Sequence, residues 1–333
     1  MENKPLSGKR IILIASRAYY LQIEEEIKSL GATCITITDK PNDGFWDKVL
    51  GRLKFKPYIN GPLCSHYEKK IDAIDGDIDY VLSVRGEYTP ISVLDKLRNK
   101  FPNAKLVLYM WDSIINNKGI EKKWDSYDEV WTFDRKDYLQ YKDRLKFLPL
   151  YYCEKVLPED YEKAEKKYDI AFIGTGHEDR VSIIKAVDEQ CREKGLKFYY
   201  YIYMPHIFVF YYNKLFNPYF SHVKKKDVQF GFLPLSEVYR IYSEASCVLD
   251  VESSTQTGLT MRTIEILGLK KKLMTTNKDV VNYDFYDDNN VCIFDRNNGK
   301  VDVSFFDREY HELSEKIYNK YSLREWVLTL LNQ

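Results

Sequence analysis

Charge of one sign is missing from this chain: lysine plus arginine and aspartate plus glutamate number 50 each in 333 residues. No overall field therefore recruits nucleic acid or an acidic partner, and any basic patch must be local. Also missing is an apolar run of the roughly 18–20 residues needed to cross a bilayer, and no signal peptide is expected before Lys9. Close cysteine pairs are absent too. Cys34, Cys64, Cys153, Cys191, Cys247 and Cys292 lie scattered, several in apolar strand-like surroundings where a free thiol acts as a small hydrophobe. A reducing cytosol is the expected compartment. Neither an internal repeat nor a low-complexity tract is present.

What is there is globular: 44% hydrophobic, 30% charged, and 15% aromatic with the rings unevenly spread. The length exceeds what one core usually serves, which predicts two domains. Apolar runs of strand length alternate with helical patterns. Strands are expected at Arg10–Ala15, Thr33–Thr38, Tyr80–Val84, Lys105–Met110, Glu129–Phe133 and Lys146–Leu150. Helices lie near Leu21–Leu30, Ile91–Lys100 and Arg135–Tyr141. A charged, weakly apolar stretch within Glu154–Lys167 interrupts the pattern and reads as a linker. The alternation then restarts with strands at Tyr168–Ile173, from Leu196, and at Val228–Phe232, Cys247–Val251, Lys272–Thr275 and Asn290–Phe294. Helices at Glu178–Lys194, Leu235–Ala245, Leu259–Leu269, Asp307–Asn319 and Ser322–Leu331 complete it. Continuous apolar strands joined by helices imply parallel sheets covered on both faces. The expected fold is therefore α/β: two Rossmann-like, doubly wound domains facing a cleft. The first spans 1–152 and the second 168–320, with a linker at 153–167. A C-terminal helix, 321–333, is expected to pack back on the first domain.

The richest stretch is Gly258-Leu259-Thr260-Met261-Arg262-Thr263-Ile264-Glu265, a glycine-opened loop running into a helix. A helix N-terminus presents N–H groups and a positive dipole end to an anion. Arg262 can fork onto a diphosphate, and Glu265, three residues on, can accept from a ribose hydroxyl pair. An amphipathic helix with an ordinary intrahelical ion pair explains the same residues. Upstream, Ile173-Gly174-Thr175-Gly176-His177-Glu178-Asp179-Arg180 offers two glycines for a close phosphate approach and an arginine entering the next helix. The third glycine of a dinucleotide fingerprint is replaced by Asp179, and the first strand ends in Ala15-Ser16-Arg17 with no glycines at all. A plain strand-to-helix turn accounts for Gly174 and Gly176 equally well.

In the first half, strand ends carry Arg85 and Glu87, Asp112 and Ser113, and Asp134 and Arg135. Transfer to a hydroxyl needs a base within hydrogen-bond reach, and Asp112 is the first choice because it follows an apolar strand and Trp111. Its alternative is a helix N-cap, a reading that applies more strongly to Asp134. Arg85 and Glu87 can instead form a buried ion pair. Asp75-Gly76-Asp77 precedes its strand and reads as a turn, so no metal site is expected.

Phe198–Phe220 is the oddest segment, with twelve aromatic residues in twenty-three, followed by Lys224-Lys225-Lys226. Its first part reads as a buried strand through Tyr203. From Phe208 to Phe220 the alternatives are peripheral membrane contact, a core extension or a dimer contact.

With these residues in view, the chain resembles the two-Rossmann-domain glycosyltransferases called GT-B, and more narrowly the CgeB-like proteins of capsule and lipopolysaccharide biosynthesis. The resemblance rests on Val84–Glu87, Leu108–Ser113, Tyr127–Asp134, Asp169–Thr175 and Gln256–Glu265. It implies a nucleotide-sugar donor, UDP-linked, on the second domain and a glycan or lipid-linked acceptor on the first. It implies no cofactor beyond that donor and no metal. Glu265 matches the acid that commonly holds the donor ribose. The family's paired glutamate eight residues earlier is Thr257 here; Glu252 is its nearest substitute, which leaves inversion or retention open. The donor-side expectation is thus Gly174, Thr175, Gly176, Arg180, Gly258, Leu259, Thr260, Arg262 and Glu265, with Asp112, Glu87 and Arg85 as the catalytic group. An epimerase of the same fold and a non-catalytic surface-assembly protein are the alternatives.

Overall fold

The structure, a computed structural model, describes residues 4–16, 20–40 and 56–332. Arg17 lies outside them. Packing divides the chain into two compact units, residues 1–149 with 323–333, and residues 150–322.

The first unit runs β1 (Arg10–Ala15), α1 (Tyr20–Ser29), β2 (Thr33–Thr38), α2 (Cys64–Asp72), β3 (Tyr80–Val84), α3 (Ile91–Lys100), β4 (Lys105–Met110), β5 (Glu129–Thr132), α4 (Arg135–Gln140) and β6 (Lys146–Phe147). Its sheet is ordered β2-β1-β3-β4-β5-β6 with every neighbour parallel. After their first residue, β1 and β4 are buried without a break. That is the signature of strands covered on both faces. The C-terminal helix Leu323–Leu330 belongs to this unit and sets Trp326 edge-on against Tyr109, 4.7 Å between ring centroids.

The second unit runs β7 (Tyr168–Thr175), α5 (Arg180–Glu193), β8 (Phe198–Tyr203), α6 (Ile207–Phe216), α7 (Leu235–Ser243), β9 (Ala245–Asp250), α8 (Met261–Gly268), β10 (Lys272–Thr275) and β11 (Val291–Ile293). Its sheet is ordered β11-β10-β9-β7-β8, again all parallel. Counted from its own first strand, each unit carries the order 2-1-3-4-5, to which the first adds a sixth strand. The winding direction therefore switches between β1 and β3 in one unit and between β7 and β9 in the other. In open parallel sheets, ligands sit beyond the carboxyl ends of the strands at such a switch.

Some expected elements differ. The aromatic strand β8 is an edge strand in which only Ile202 is fully buried, so its tyrosines are half-covered. Val228–Phe232 forms no strand: it touches β8 through a single bridge, Gln229 to Tyr203, before Pro234 caps α7. The helix expected over Asp307–Asn319 is two short ones, Ser304–Asp307 and Glu315–Lys320. Between them, the Asn290 amide grips both backbone groups of His311, at 2.7 and 2.8 Å, which a continuing helix could not offer. Asp75-Gly76-Asp77 is a turn: Gly76 has φ 76°, and the Arg10 guanidinium binds the carbonyls of Asp75 and Asp77.

Candidate functional site

At the second unit's switch, two segments meet: the end of β7 with the loop that leaves it, residues 174–179, and the loop leaving β9, residues 251–260. Asp250, fully buried at the end of β9, organises the second loop. Its carboxylate accepts from Thr260 and Thr263 hydroxyls at 3.0 and 2.8 Å and from Arg262 Nη1 at 2.7 Å. Thr260 is also the N-cap of α8, accepting from the Thr263 N–H. The first turn of α8 is thereby locked to the strand end.

Arg262 is committed inside this network. Its Nε donates to the Tyr242 hydroxyl at 3.0 Å, its Nη2 to the Ile173 carbonyl at 2.5 Å, and its guanidinium lies 4.9 Å over the Phe172 ring. Burial opposes its charge, but Tyr242 and Asp250 more than restore it. The intrahelical pair with Glu265 does not form. Instead Glu265 accepts from the Tyr239 hydroxyl at 3.0 Å, and burial raises its carboxyl above the ordinary range.

The two glycines have packing reasons. A Cβ on Gly176 would meet Ile202 Cγ2 at 2.7 Å and Met204 Sδ at 3.1 Å. One on Gly174 would meet Arg262 Nη2 at 2.5 Å. Leu259 is core, and Thr175 contributes its carbonyl. The amide of Asn277 ties the loop below α8 through the carbonyls of Thr257 and Gly258, the first at 3.0 Å.

Arg180 is the exception among these charges. Only 8% exposed, it donates to the Thr175 carbonyl at 3.0 Å and the Val251 carbonyl at 2.5 Å, stapling the two switch loops together. Its buried Nε has no hydrogen-bond partner, and no carboxylate pairs with the guanidinium among the described residues. Burial, then the nearby Arg262, lowers its pKa to about 10. Beside it, burial and the Arg180 charge push His177 down to about 4, so its imidazole is neutral at pH 7.

Sequence reasoning named Glu252 but missed Arg296 and the layer it builds below. Arg296, just past β11, takes Asp179 with Nε at 2.8 Å and Nη2 at 2.6 Å, and Glu252 with Nη1 at 3.0 Å. Glu252 also accepts from Thr276 Oγ1. Glu178 accepts from Ser253 Oγ at 2.8 Å and from the Ser254 N–H and hydroxyl at 3.0 and 3.1 Å. The available signal was position: Asp250, Glu252, Thr276 and Arg296 each sit at or just past a strand's carboxyl end.

In the first unit, Arg85 adopts φ 76°, the left-handed region that side chains other than glycine seldom enter. Strain of that kind persists where the surroundings over-determine it. Arg85 Nη2 reaches Glu87 and Asp112, each at 3.0 Å. Asp112 starts no helix, so the N-cap reading fails for it, and 35% of its side chain is open to solvent. Asp134 is an N-cap, accepting from the Lys136 and Asp137 N–H groups and from Ser113 Oγ at 2.5 Å. A cavity of about 500 Å³ adjoins Glu87, floored by Ile59, Leu63, Tyr88 and Ile120 and edged by Lys122 and Lys123.

No protein family and no curated protein matches the sequence. Solved structures do. The catalytic domain of starch synthase IV from Arabidopsis thaliana, bound to ADP and acarbose, superposes with TM-score 0.59 at 8% identity, covering 98% of this chain and 99% of that one. Anabaena HepE in complex with UDP and glucose gives 0.54 at 10% identity, over 97% and 96% of the two chains. UDP-GlcNAc 2-epimerase from Neisseria meningitidis, bound to UDP-GlcNAc, gives 0.52 at 10%, over 97% and 98%. The fold is GT-B. At these identities the likeness is one of architecture, two Rossmann-like α/β units, and GT-B proteins of this kind include both glycosyltransferases and epimerases.

Proposed function

We propose that the protein is a glycosyltransferase that moves one sugar from a nucleoside diphosphate donor, UDP-linked, to a lipid-linked or oligosaccharide acceptor of capsule or lipopolysaccharide type, in the manner of CgeB-like proteins. The observation that carries this reading is Arg180: a buried guanidinium that no carboxylate pairs directly, although Asp250 and Glu178 lie near enough to favour its charge, fixed between the two loops of a topological switch. A buried cation is costly unless an anion completes it, and a diphosphate fits a planar fork. The similar structures bound to UDP and to UDP-GlcNAc support a nucleotide sugar as that ligand.

In the donor site, Arg180 and the N-terminal dipole of α8 neutralise the departing diphosphate, so the step needs no metal. Arg262 is a positioning residue that holds the Gly258–Thr260 loop against β7 and β9, and Glu265 receives the ribose. In the first unit, Asp112 takes the acceptor's proton if the reaction inverts, oriented by Arg85 with Glu87. The apolar floor and lysine edge of the neighbouring cavity suit an acceptor with an apolar portion and an anionic group. The reaction runs at the cytoplasmic face of a membrane.

Titration with uridine diphosphate tests the site. Arg180→Ala should weaken binding at least tenfold and Arg180→Lys less, with both proteins folded by their melting curves. Wild-type affinity in both variants would remove Arg180 from the site. The epimerase likeness favours one further reading: turnover of a UDP-sugar without acceptor would replace transfer by epimerisation on the same donor site. Binding without any turnover would leave a surface-assembly protein with a donor-shaped site.

A further inference from the structure

Helix α6 faces outward with its apolar side. Of its ten residues only Phe210 is buried, while Phe208, Tyr211, Tyr212, Leu215 and Phe216 are exposed, Phe208 and Leu215 by about three-quarters. At 3.6 residues per turn those five fall within roughly 140° of arc, and Phe210 lies on the opposite side. An ordinary surface helix is arranged the other way round, so the core-extension reading of this segment holds only for Phe210 and Phe220.

The helix is also rigidly placed. Phe210 anchors it in the core beside Phe230, and Lys214 Nζ clips its end by donating to the carbonyls of Ser221 and Val223 at 2.9 and 2.8 Å. Phe220 and Val223 anchor the turn that follows, and Lys224, Lys225 and Lys226 beyond it are exposed. From Lys194 to Lys226 the sequence holds six lysines and no aspartate or glutamate. Elsewhere acids outnumber bases, 50 to 44, so this 33-residue acid-free stretch is a local excess of positive charge in a neutral chain.

We infer that α6 and the Lys224–Lys226 turn form a membrane-docking element that seats on an anionic lipid bilayer. The rings and Leu215 enter the headgroup boundary and the lysines meet lipid phosphates and carboxylates. Charge decides the occupant. A second copy of this chain would bring the same exposed Lys224–Lys226 turn and face lysine with lysine, whereas an anionic bilayer complements it. At ten residues α6 is too short to cross a bilayer, and no helix among the described residues is long and apolar enough to do so. It lies in the interface plane. The element supplies the lipid contact that the proposed reaction requires, yet it rests on its own observations and stands if the transfer reading fails.

Sedimentation of the full-length protein with phosphatidylcholine vesicles, with and without about a third phosphatidylserine, tests the inference. The wild type should pellet with the serine-containing vesicles and release in high salt. Changing Lys224, Lys225 and Lys226 to Gln should weaken partitioning roughly a hundredfold, at about one kilocalorie per charge. Phe208→Ser with Leu215→Ser should abolish it, and because both side chains are exposed, melting should not fall. Nucleotide binding without lipid should be the same in every variant, which separates failure here from failure of the donor site. Equal recovery of the wild type with and without vesicles would overturn the inference. So would a self-associated wild type that the Ser variants convert to monomers.

Discussion

The two switch regions share a topology and differ in charge. Beyond β3, Arg85 is shared by two carboxylates, Glu87 and Asp112, each 3.0 Å away. Beyond β7, Arg180 touches two backbone carbonyls and pairs with no carboxylate among the described residues. One cation shared by two acids leaves a carboxylate able to take a proton. A cation whose nearest acids, Asp250 and Glu178, make no direct pair with it favours an anion. The same winding order can thus serve opposite chemistry, because function lives in the few side chains at the strand ends and not in the sheet.

The comparison breaks most sharply at Asp112. Asp112→Asn should lower transfer by 10²–10⁴-fold, the usual range for a lost general base, while uridine diphosphate binding stays unchanged. Single-turnover assays beside titration check both halves. Loss of donor binding in that variant would merge roles that the account keeps apart. Next comes the Arg180 loss already described, on the order of tenfold or more in donor affinity with no requirement for an acceptor.

Gly176→Ala should act on stability first. Its Cβ would press on Ile202 at 2.7 Å, with Met204 close behind, and overpacking of that kind costs about 1–3 kcal/mol. Thermal or urea unfolding reads this directly. Gly174→Ala meets the end of the Arg262 side chain instead, so it should disturb the α8 clamp more than the fold. A greater loss of stability in Gly174→Ala than in Gly176→Ala would contradict the packing roles.

The smallest effect concerns acid. His177 has a folded pKa near 4, below its unfolded value of 6.5, so between these values the unfolded chain binds the extra proton. Stability from this group is present above about pH 6.5 and is lost as pH falls toward 4. Asp137 acts oppositely: buried, and beside Asp134, its carboxyl rises to about 6, so its cost appears as pH rises from about 4 to 6. His177→Gln should therefore flatten the acid side of a melting-temperature profile, and Asp137→Asn should steepen it. Since His177 is partly exposed, solvent screening keeps its share small.

Strands such as β1 and β4 were legible because they are near-continuous apolar runs, which leave few alternatives. Arg180's place at the entry of a helix was legible as well. Its isolation was not, because Thr175 and Val251 meet it only after two loops converge. Arg262 and Glu265 illustrate the same limit. Spacing suggests that they address each other, yet Arg262 turns to Asp250, twelve residues earlier, and Glu265 to Tyr239. Nor could composition alone choose among core, dimer and membrane for the aromatic helix. Its one inward residue, Phe210, had to be seen opposite five outward ones.

The central claim is that the β7–β9 switch holds a diphosphate, and the most direct measurement is the melting temperature of the wild type with uridine, its monophosphate, its diphosphate and a UDP-sugar. A ligand that binds the folded state raises that temperature, and at equal concentration a tighter ligand raises it more. The account predicts no shift with uridine, a small one with the monophosphate and a clear one with the diphosphate and the UDP-sugar, the last two vanishing in Arg180→Ala. A shift already complete with uridine, or none with any diphosphate, would contradict it.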